Sequence, residues 1–600
     1  MRTLFHKQNR KHPEIQELAS YLLQSWFAAF ALCNIGGIST ANILSALIFG
    51  LMLLLFSCAK HLSETSNPPK GFIAVSGLLA AIYTAFYMAA EHMRLTGGFD
   101  SRLFRLGFVL ATAAGLYFLF FGCVRILFLL LSARQPASYA MPLPFFHKAL
   151  VFCALLLGWM FWFLYNYPGV MTPDSISQFS QVTGLIPYSS HHSLIHTLLF
   201  GLFYRIGHGL TGSVNAGIAC YILFQMLVLA GVETCCVSQL AKNGLPRWML
   251  ALWVAFWALV PYNGIYAVTM WKDILFSAFV LLYAIVLFRL QKNPDWNVKT
   301  HCGVLILTFV SGWLTCMLRS NGLYVFLFML PFVLISFRRQ LKVMLPLQFA
   351  VLFLALLMKG PVFHYFGVAD PHFTESLSIP LQQVARVVTE GRSLSDEQEA
   401  LINQVVDMSL IPEYYDPVIS DPVKALVLYN NADYLAAHKA EFFRLWAELG
   451  LAYPRDYAEA FIDQTKGYWY PAPANLRTYE GMSPNEAGLS WPHLLRGQLP
   501  VKISELLLKM PDIFPVYGLL WSIGAFTWLM LFLAAWQFLY GERRYLLLFL
   551  PFIGTILTLL IATPVASDLR YAYPVFLGMP FMISITFLCR KQEERYSFPL

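Results

Sequence analysis

Apolar runs of about 20 residues recur along most of this chain, and each is long enough to cross the ~30 Å of a bilayer's hydrocarbon core as a helix. In hydrocarbon every backbone polar group must be satisfied internally, so helices or closed barrels are the structures that can span. Barrel-type period-2 alternation is absent, and the runs read as helices. Spans are expected near residues 18–36, 39–58, 72–92, 107–132, 147–166, 214–236, 247–262, 273–290, 302–318, 322–337, 344–359, 514–540, 545–562 and 570–589. The expected fold is therefore an all-α polytopic membrane protein of about 14 transmembrane helices. Composition agrees, because 58% of the 600 residues are hydrophobic and 12% are charged. A water-soluble chain of this size needs about twice that charge density.

The net charge of +8 becomes informative once its distribution is read. Residues 360–513 hold 20 acidic and 11 basic residues, and the remainder holds 13 acidic and 30 basic. Most of those bases sit in short loops between apolar runs, which is positive-inside patterning rather than a nucleic-acid groove. With the N-terminus cytoplasmic, the inner loops carry Lys60, Lys70, Arg134, Lys148, Lys242, Arg247, Arg289, Lys292, Arg338, Arg339, Lys342, Arg543 and Arg544. The C-terminus is also cytoplasmic, with Arg590 and Lys591. The outer loop with Arg94, Arg102 and Arg105 is the exception. Met1 to Glu17 reads as a cytoplasmic tail rather than a signal peptide. These features imply a multi-pass protein of the cell membrane with residues 360–513 extracytoplasmic.

The apolar stretch 193–212 would invert every later positive loop if it spanned, so it is read as an amphipathic or re-entrant segment at the outer surface. The organisation that follows has four parts. Residues 1–146 form the tail and four helices; 147–359 form a transmembrane core with a first outer loop at 167–212. Residues 360–513 form a helical outer domain, and 514–600 add three helices and a tail. Within the domain, Ile379–Val388 is apolar-periodic, and Ser395 with Gln398 makes a capping box. Asn431 is placed to cap a helix running to Leu449, and Asp456–Lys466 reads as another helix. The ten cysteines lie in or beside apolar runs without zinc spacing, and the 360–513 domain has none, so it is not disulfide-stapled. There is no N-x-S/T sequon, no Walker A loop and no dinucleotide fingerprint.

Four polar spots fall on one side of this topology. The first is Asp174 with His191, His192 and His196, a carboxylate and three imidazoles at a membrane surface. They suit a general base or ligands for a divalent cation, Mg or Mn; equally, Asp174 caps the helix after Pro173 and the histidines are interfacial. The second is Trp271-Lys272-Asp273 at a span's start, a belt tryptophan with a locally paired lysine or a lysine facing an anionic lipid head. The third is Arg319, in a tight outer turn where a cation is costly and where bidentate phosphate binding is the functional alternative. Arg570 is treated alike, with an ion pair to Asp568 as its other reading. The fourth is the outer-domain aromatic set Tyr414, Tyr415, Tyr468, Trp469, Tyr470 and Trp491, suited to sugar rings or to resting on headgroups.

An outer-facing Asp shortly after the first helix of a multi-spanning module, followed by a histidine-rich stretch, resembles the GT-C superfamily of integral-membrane glycosyltransferases. Within it the chain is similar to a bacterial GT-C-like membrane family through Tyr167-Pro168-Gly169, Asp174-Ser175, His191-His192, Trp271-Lys272-Asp273, Arg319-Ser320-Asn321-Gly322 and Asp568-Leu569-Arg570-Tyr571. Further shared phrases are Ile379-Pro380-Leu381-Gln382-Gln383, Ile419-Ser420-Asp421-Pro422-Val423-Lys424 and Gly467-Tyr468-Trp469-Tyr470-Pro471. The resemblance covers about residues 147–590, and the first four helices look like an addition. The chain departs from the pattern where an acidic pair is usual, since Ser175 follows Asp174, and where His-Pro-Pro is usual, since His191-His192-Ser193 stands there.

The resemblance implies an inverting glycosyltransferase that moves a sugar from a polyprenyl-phosphate-linked donor to a cell-envelope glycan or lipid-linked acceptor. Asp174 would be the base or metal ligand, and Lys272, Arg319 and Arg570 would hold the donor phosphate. His191, His192, His196 and Asp273 would support the site or a metal, and Tyr468, Trp469 and Tyr470 would bind the acceptor. The alternatives are a transporter or flippase of lipid-linked saccharides, and a polymerase or assembly subunit for surface polysaccharide.

Overall fold

A computed structural model describes residues 15–92, 101–133, 140–293, 297–472, 489–492 and 494–591. Residues 1–14 of the expected N-terminal tail, Arg94 and Arg134 lie outside the described residues, and Ile15 to Glu17 begin the first helix. The described chain is helical, with four isolated β-bridges and no named strand. Twelve helices are long and apolar enough to cross a membrane, or 13 if the bent pair Arg247–Leu259 and Pro261–Ala267 is one span. The remaining expected span, near 322–337, is the 17-residue apolar helix Ser320–Ser336. Exposed leucines and isoleucines on the spans, such as Leu157, Leu259 and Ile561, are what lipid-facing positions require.

The chain divides into two compact units. The first comprises residues 1–135 with 535–541 and 591–600. Its long helices are Ile15–Ile35, Ile43–Ser66, Phe72–Ala90 and Arg102–Ala133. Gly115 lets Arg102–Ala133 approach the Phe27 carbonyl and Ala31 closely, the small-residue contact that replaces hydrophobic driving force between membrane helices. Asn34 donates to Thr112 across the same pair at 3.2 Å.

The second unit comprises residues 136–534 and 542–590. At its centre are the spans Lys272–Lys292 and Leu569–Leu588, whose apolar stretches are 89% and 83% buried. Both carry functional candidates at one end, so the candidate site is anchored to the most enclosed helices of the unit. The segment 193–212 forms helix Leu194–Thr211, which is not among the candidate spans. It buries Leu194, Thr197, Phe200, Gly201 and Tyr204 and exposes Leu198, Leu202, Ile206 and Leu210. The exposed side is thus largely apolar, not the polar face of an amphipathic helix, and what agrees with the expectation is that the segment is not among the candidate spans.

The domain after the span Arg338–Tyr365 packs around helix Ser378–Thr389, whose Leu381, Val384 and Val387 meet Ile402, Val423, Val427, Leu445 and Leu449. The Ser395–Gln398 capping box forms with both bonds, at 3.1 and 3.3 Å. Asn431 does not cap a helix to Leu449. The chain breaks at His438 into Ala432–Ala437 and Lys439–Ala452, and the Asn431 side chain donates instead to the Gln404 carbonyl. The helix expected at Asp456–Lys466 extends over Pro454–Trp469.

Candidate functional site

The site is built where the span Phe145–Tyr165 ends and the chain turns back toward the start of Lys272–Lys292. Residues 167–172 are clamped to 268–271 by a parallel bridge: Val170 N–H donates to the Val268 carbonyl and Met270 N–H to the Val170 carbonyl, both at 2.9 Å. Gly169 has φ +146°, and a Cβ there would strike the Ile222 side chain, so glycine is required. Helix Pro173–Val182 then starts with proline at its first position. Thr172 is its N-cap and shares a capping box with Ser175, whose hydroxyl accepts from the Thr172 N–H at 2.6 Å. Asp174 is therefore not the cap. Its neighbours do the capping, and its carboxylate is free to leave the helix. The Trp271 indole donates to the Thr172 hydroxyl at 2.7 Å, which ties the two loops again.

The Asp174 carboxylate meets two cations from distant parts of the chain. Lys272 Nζ donates to Oδ2 at 2.9 Å and Arg570 Nη1 at 3.4 Å. His192 Nδ1 lies 3.9 Å from the same oxygen and 3.3 Å from Lys272 Nζ. Arg570 is itself fixed by Asp568 Oδ2 at 3.0 Å, by the Tyr571 hydroxyl at 2.8 Å and by the Trp271 face, 4.9 Å from its guanidinium carbon. A deeper layer follows. Arg319 pairs with Asp273, Nε to Oδ1 at 3.1 Å, and donates to the Tyr571 carbonyl at 3.1 Å. Both guanidiniums lie 4.6 Å from the Tyr571 ring centre. Three carboxylates face three cations, so the cluster is close to neutral. Asp174 is its most open member, with a quarter of its side chain exposed against 16% for Lys272 and 10% for Arg570.

Burial works against a charged Asp174, but Lys272, Arg570 and His192 outweigh it and hold the carboxyl well below the usual carboxylate range. Asp174 is thus ionised at neutral pH. Burial and the nearby Lys272 push His192 down to about 3, so its imidazole is neutral.

The structure brings together Asp174, Lys272, Arg570 and His192, with His191 stacked edge-on against His192 at 4.5 Å. Other expected members fall elsewhere. Arg319 is nearly buried and acts on Asp273 and Tyr571 rather than on Asp174. His196 has both ring nitrogens in use, Nδ1 3.0 Å from Gln178 Oε1 and Nε2 2.6 Å from the Tyr221 hydroxyl. It fixes helix Leu194–Thr211 against its neighbours. Tyr468 and Trp469 are buried, and the Tyr468 hydroxyl donates to the Val565 carbonyl at 2.7 Å. Thr527 and Trp528 donate to the Tyr468 and Trp469 carbonyls, both at 2.8 Å. This stretch, ending at the half-buried Tyr470, docks its helix end against the spans and presents no open face of Tyr468 or Trp469 to an acceptor. Sequence reasoning missed Thr172 and Tyr571 as site-shaping residues, and also Gln178, which lies one helical turn after Asp174.

The donor set does not fit a metal. Among the described residues no group of three His, Cys, Asp or Glu side chains is placed to hold an ion. Asp174 is already neutralised by two cations that would repel another, Asp273 is paired with Arg319, and His196 is fully engaged.

Fold and site together define a polytopic, all-helical membrane protein whose central spans carry an ionic cluster at one face. The chain belongs to DUF6020, a family of unknown function, which matches residues 186–597. The match includes Lys272, Arg319 and Arg570 and begins after Asp174. No curated protein and no solved structure matches the chain.

Proposed function

We propose that the cluster is the reaction centre of a membrane glycosyltransferase of GT-C type, using a polyprenyl-phosphate sugar and a cell-envelope acceptor. The supporting observation is the open, ionised Asp174 carboxylate set between Lys272 and Arg570 at the ends of membrane helices. The donor's lipid lies in the bilayer and its phosphate meets Lys272 and Arg570. These cations stabilise the negative charge that builds on the phosphate as the glycosidic C–O bond breaks. The acceptor hydroxyl attacks the anomeric carbon from the opposite side, so configuration inverts. A carboxylate paired this strongly is a weak base. Asp174 therefore orients the acceptor hydroxyl by accepting its hydrogen bond, and takes the proton as attack makes that hydroxyl acidic. Arg319 positions Tyr571, and through it Arg570. In this reading the chain spans the cell membrane about 14 times, counting the bent pair and Ser320–Ser336, with both termini cytoplasmic and residues 360–513 outside.

The test is a single-turnover transfer assay on purified protein with a panel of labelled polyprenyl-phosphate sugars and envelope extract as acceptor. Asp174→Asn lowers transfer by roughly 10²-fold or more without loss of folding, and chelator has no effect. Full activity in Asp174→Asn refutes the role, and chelator sensitivity returns Asp174 to a metal ligand.

A second reading, a transporter or flippase of lipid-linked saccharides, is favoured by the 59° bend between Arg247–Leu259 and Pro261–Ala267, because broken helices line transport paths. Donor-independent translocation in proteoliposomes distinguishes it.

A further inference from the structure

Glu233 lies inside the long span Val214–Lys242, fully buried, and neither carboxyl oxygen has a hydrogen-bond partner among the described residues. An ionisable residue in a membrane helix is costly and is kept where it works. Tyr573 is close enough to Glu233 to interact with it electrostatically, and also to Tyr262 and Tyr266. The Tyr573 hydroxyl donates to Asn263 Oδ1 at 3.0 Å, and its ring lies 5.0 Å from that of Tyr266. Tyr266 in turn is within electrostatic reach of Asp568, Arg570 and Asp273. The hydroxyls of Tyr262 and Tyr266 are buried without a hydrogen-bond partner among the described residues, like Glu233 itself.

Buried polar groups are nearly always hydrogen-bonded to protein or to ordered water, and here none of the described residues supplies a partner. The short helix after the bend carries Tyr262 and Tyr266 one turn apart, and the span packed against it, Val214–Lys242, carries Glu233. That residue lies about 12 Å deeper than Gln225, at 1.5 Å per residue. Gln225 marks the level of the cluster, since its amide donates to the Thr269 carbonyl at 2.8 Å. The other titratable groups near Glu233 are Cys235 and Cys236 of its own helix, with Lys148 and Arg289 beyond Cys235 on the far side. From the other packed helices come Asp273 of Lys272–Lys292 and His196 of Leu194–Thr211, each at the cluster end.

We propose that Glu233 is a proton-binding site within the membrane, connected to the cluster face by a hydrated path along Tyr262, Tyr266 and Tyr573. The proton comes from water at that face, binds a Glu233 oxygen, and leaves by the same route. The inference stands independently of the transfer reading, because it uses neither donor nor acceptor.

The experiment labels full-length protein in sealed proteoliposomes with N,N′-dicyclohexylcarbodiimide, which reacts with carboxyls in their protonated form. Peptide mass spectrometry reads the labelled fraction of Glu233 in vesicles with the cluster face outward, and Glu233→Gln identifies the peptide. Labelling falls several-fold as the pH of the cluster face is raised and does not respond to the pH of the opposite face. Tyr266→Phe slows the response to a pH jump on the cluster face. Labelling that follows the opposite face, that ignores both faces, or that is absent while other carboxyls react overturns the proposal.

Discussion

At the scale of single residues, the site depends on how burial and neighbouring charge divide protons. His192 and His196 are both pushed down to about 3 from 6.5, by burial first and by Lys272 next. Between those values the unfolded chain binds more protons than the folded one, so stability is lost as pH falls below about 6.5 and regained above it. At pH 5 the loss is roughly 2 kcal/mol per histidine. Thermal unfolding in detergent at pH 7.5 and pH 5 measures it, and His196→Gln flattens the dependence. Asp174 does not contribute in this window. Its folded value is depressed, so its stabilisation is full above 3.8 and is lost progressively as pH falls below that. Arg319 makes a different prediction. A lysine cannot hold Asp273, the Tyr571 carbonyl and the Tyr571 ring together. Arg319→Lys therefore lowers kcat of transfer about tenfold with little change in acceptor KM, as a positioning role requires, and steady-state kinetics separate the two parameters.

At the scale of elements, the loop clamp rather than any helix sets the distance between Asp174 and Lys272. The Val170 bridge, the Thr172–Ser175 capping box and the Trp271 indole act on one short stretch. Gly169→Ala places a Cβ against Ile222 at a positive φ that alanine avoids, and costs about 2 kcal/mol or more. A lower thermal midpoint together with reduced transfer is expected, and an unchanged midpoint contradicts the clamp. None of this is visible as periodicity. The sequence shows a turn at Tyr167-Pro168-Gly169, but not that residues 268–271 lie beside it. The same limit explains Asn431, where a capping residue before an apolar run suggested one helix and tertiary packing broke the run at His438.

At the scale of the whole molecule, the cluster joins residues from positions 174, 192, 272, 319 and 570, which fixes those helix ends on a common face. Topology then has a direct test. In sealed vesicles with the cluster face outward, Asp421→Cys reacts with a membrane-impermeant maleimide, whereas Arg339→Cys and Arg543→Cys do not. Reaction of all three from one side contradicts the arrangement. The domain centred on helix Ser378–Thr389 is tied to the spans of its own unit by the Tyr468 hydroxyl on Val565 and by Ser420 N–H on the Pro564 carbonyl at 2.8 Å.

The sequence by itself determined the all-helical, polytopic character, the apolar helices that can span, the helical domain and the common side of Asp174, Lys272, Arg319 and Arg570. Each follows from hydrophobic length, helical period or charge placement, which are local properties. Tertiary structure alone decided that Arg570 reaches Asp174 while Arg319 is turned inward to Asp273, that His196 is consumed by Gln178 and Tyr221, and that Tyr468 is a docking residue rather than an open aromatic face. It also decided that Glu233 is left without a hydrogen-bond partner among the described residues. These outcomes depend on which side chains meet across hundreds of residues, and the energetics of a buried charge are set by its neighbours in space.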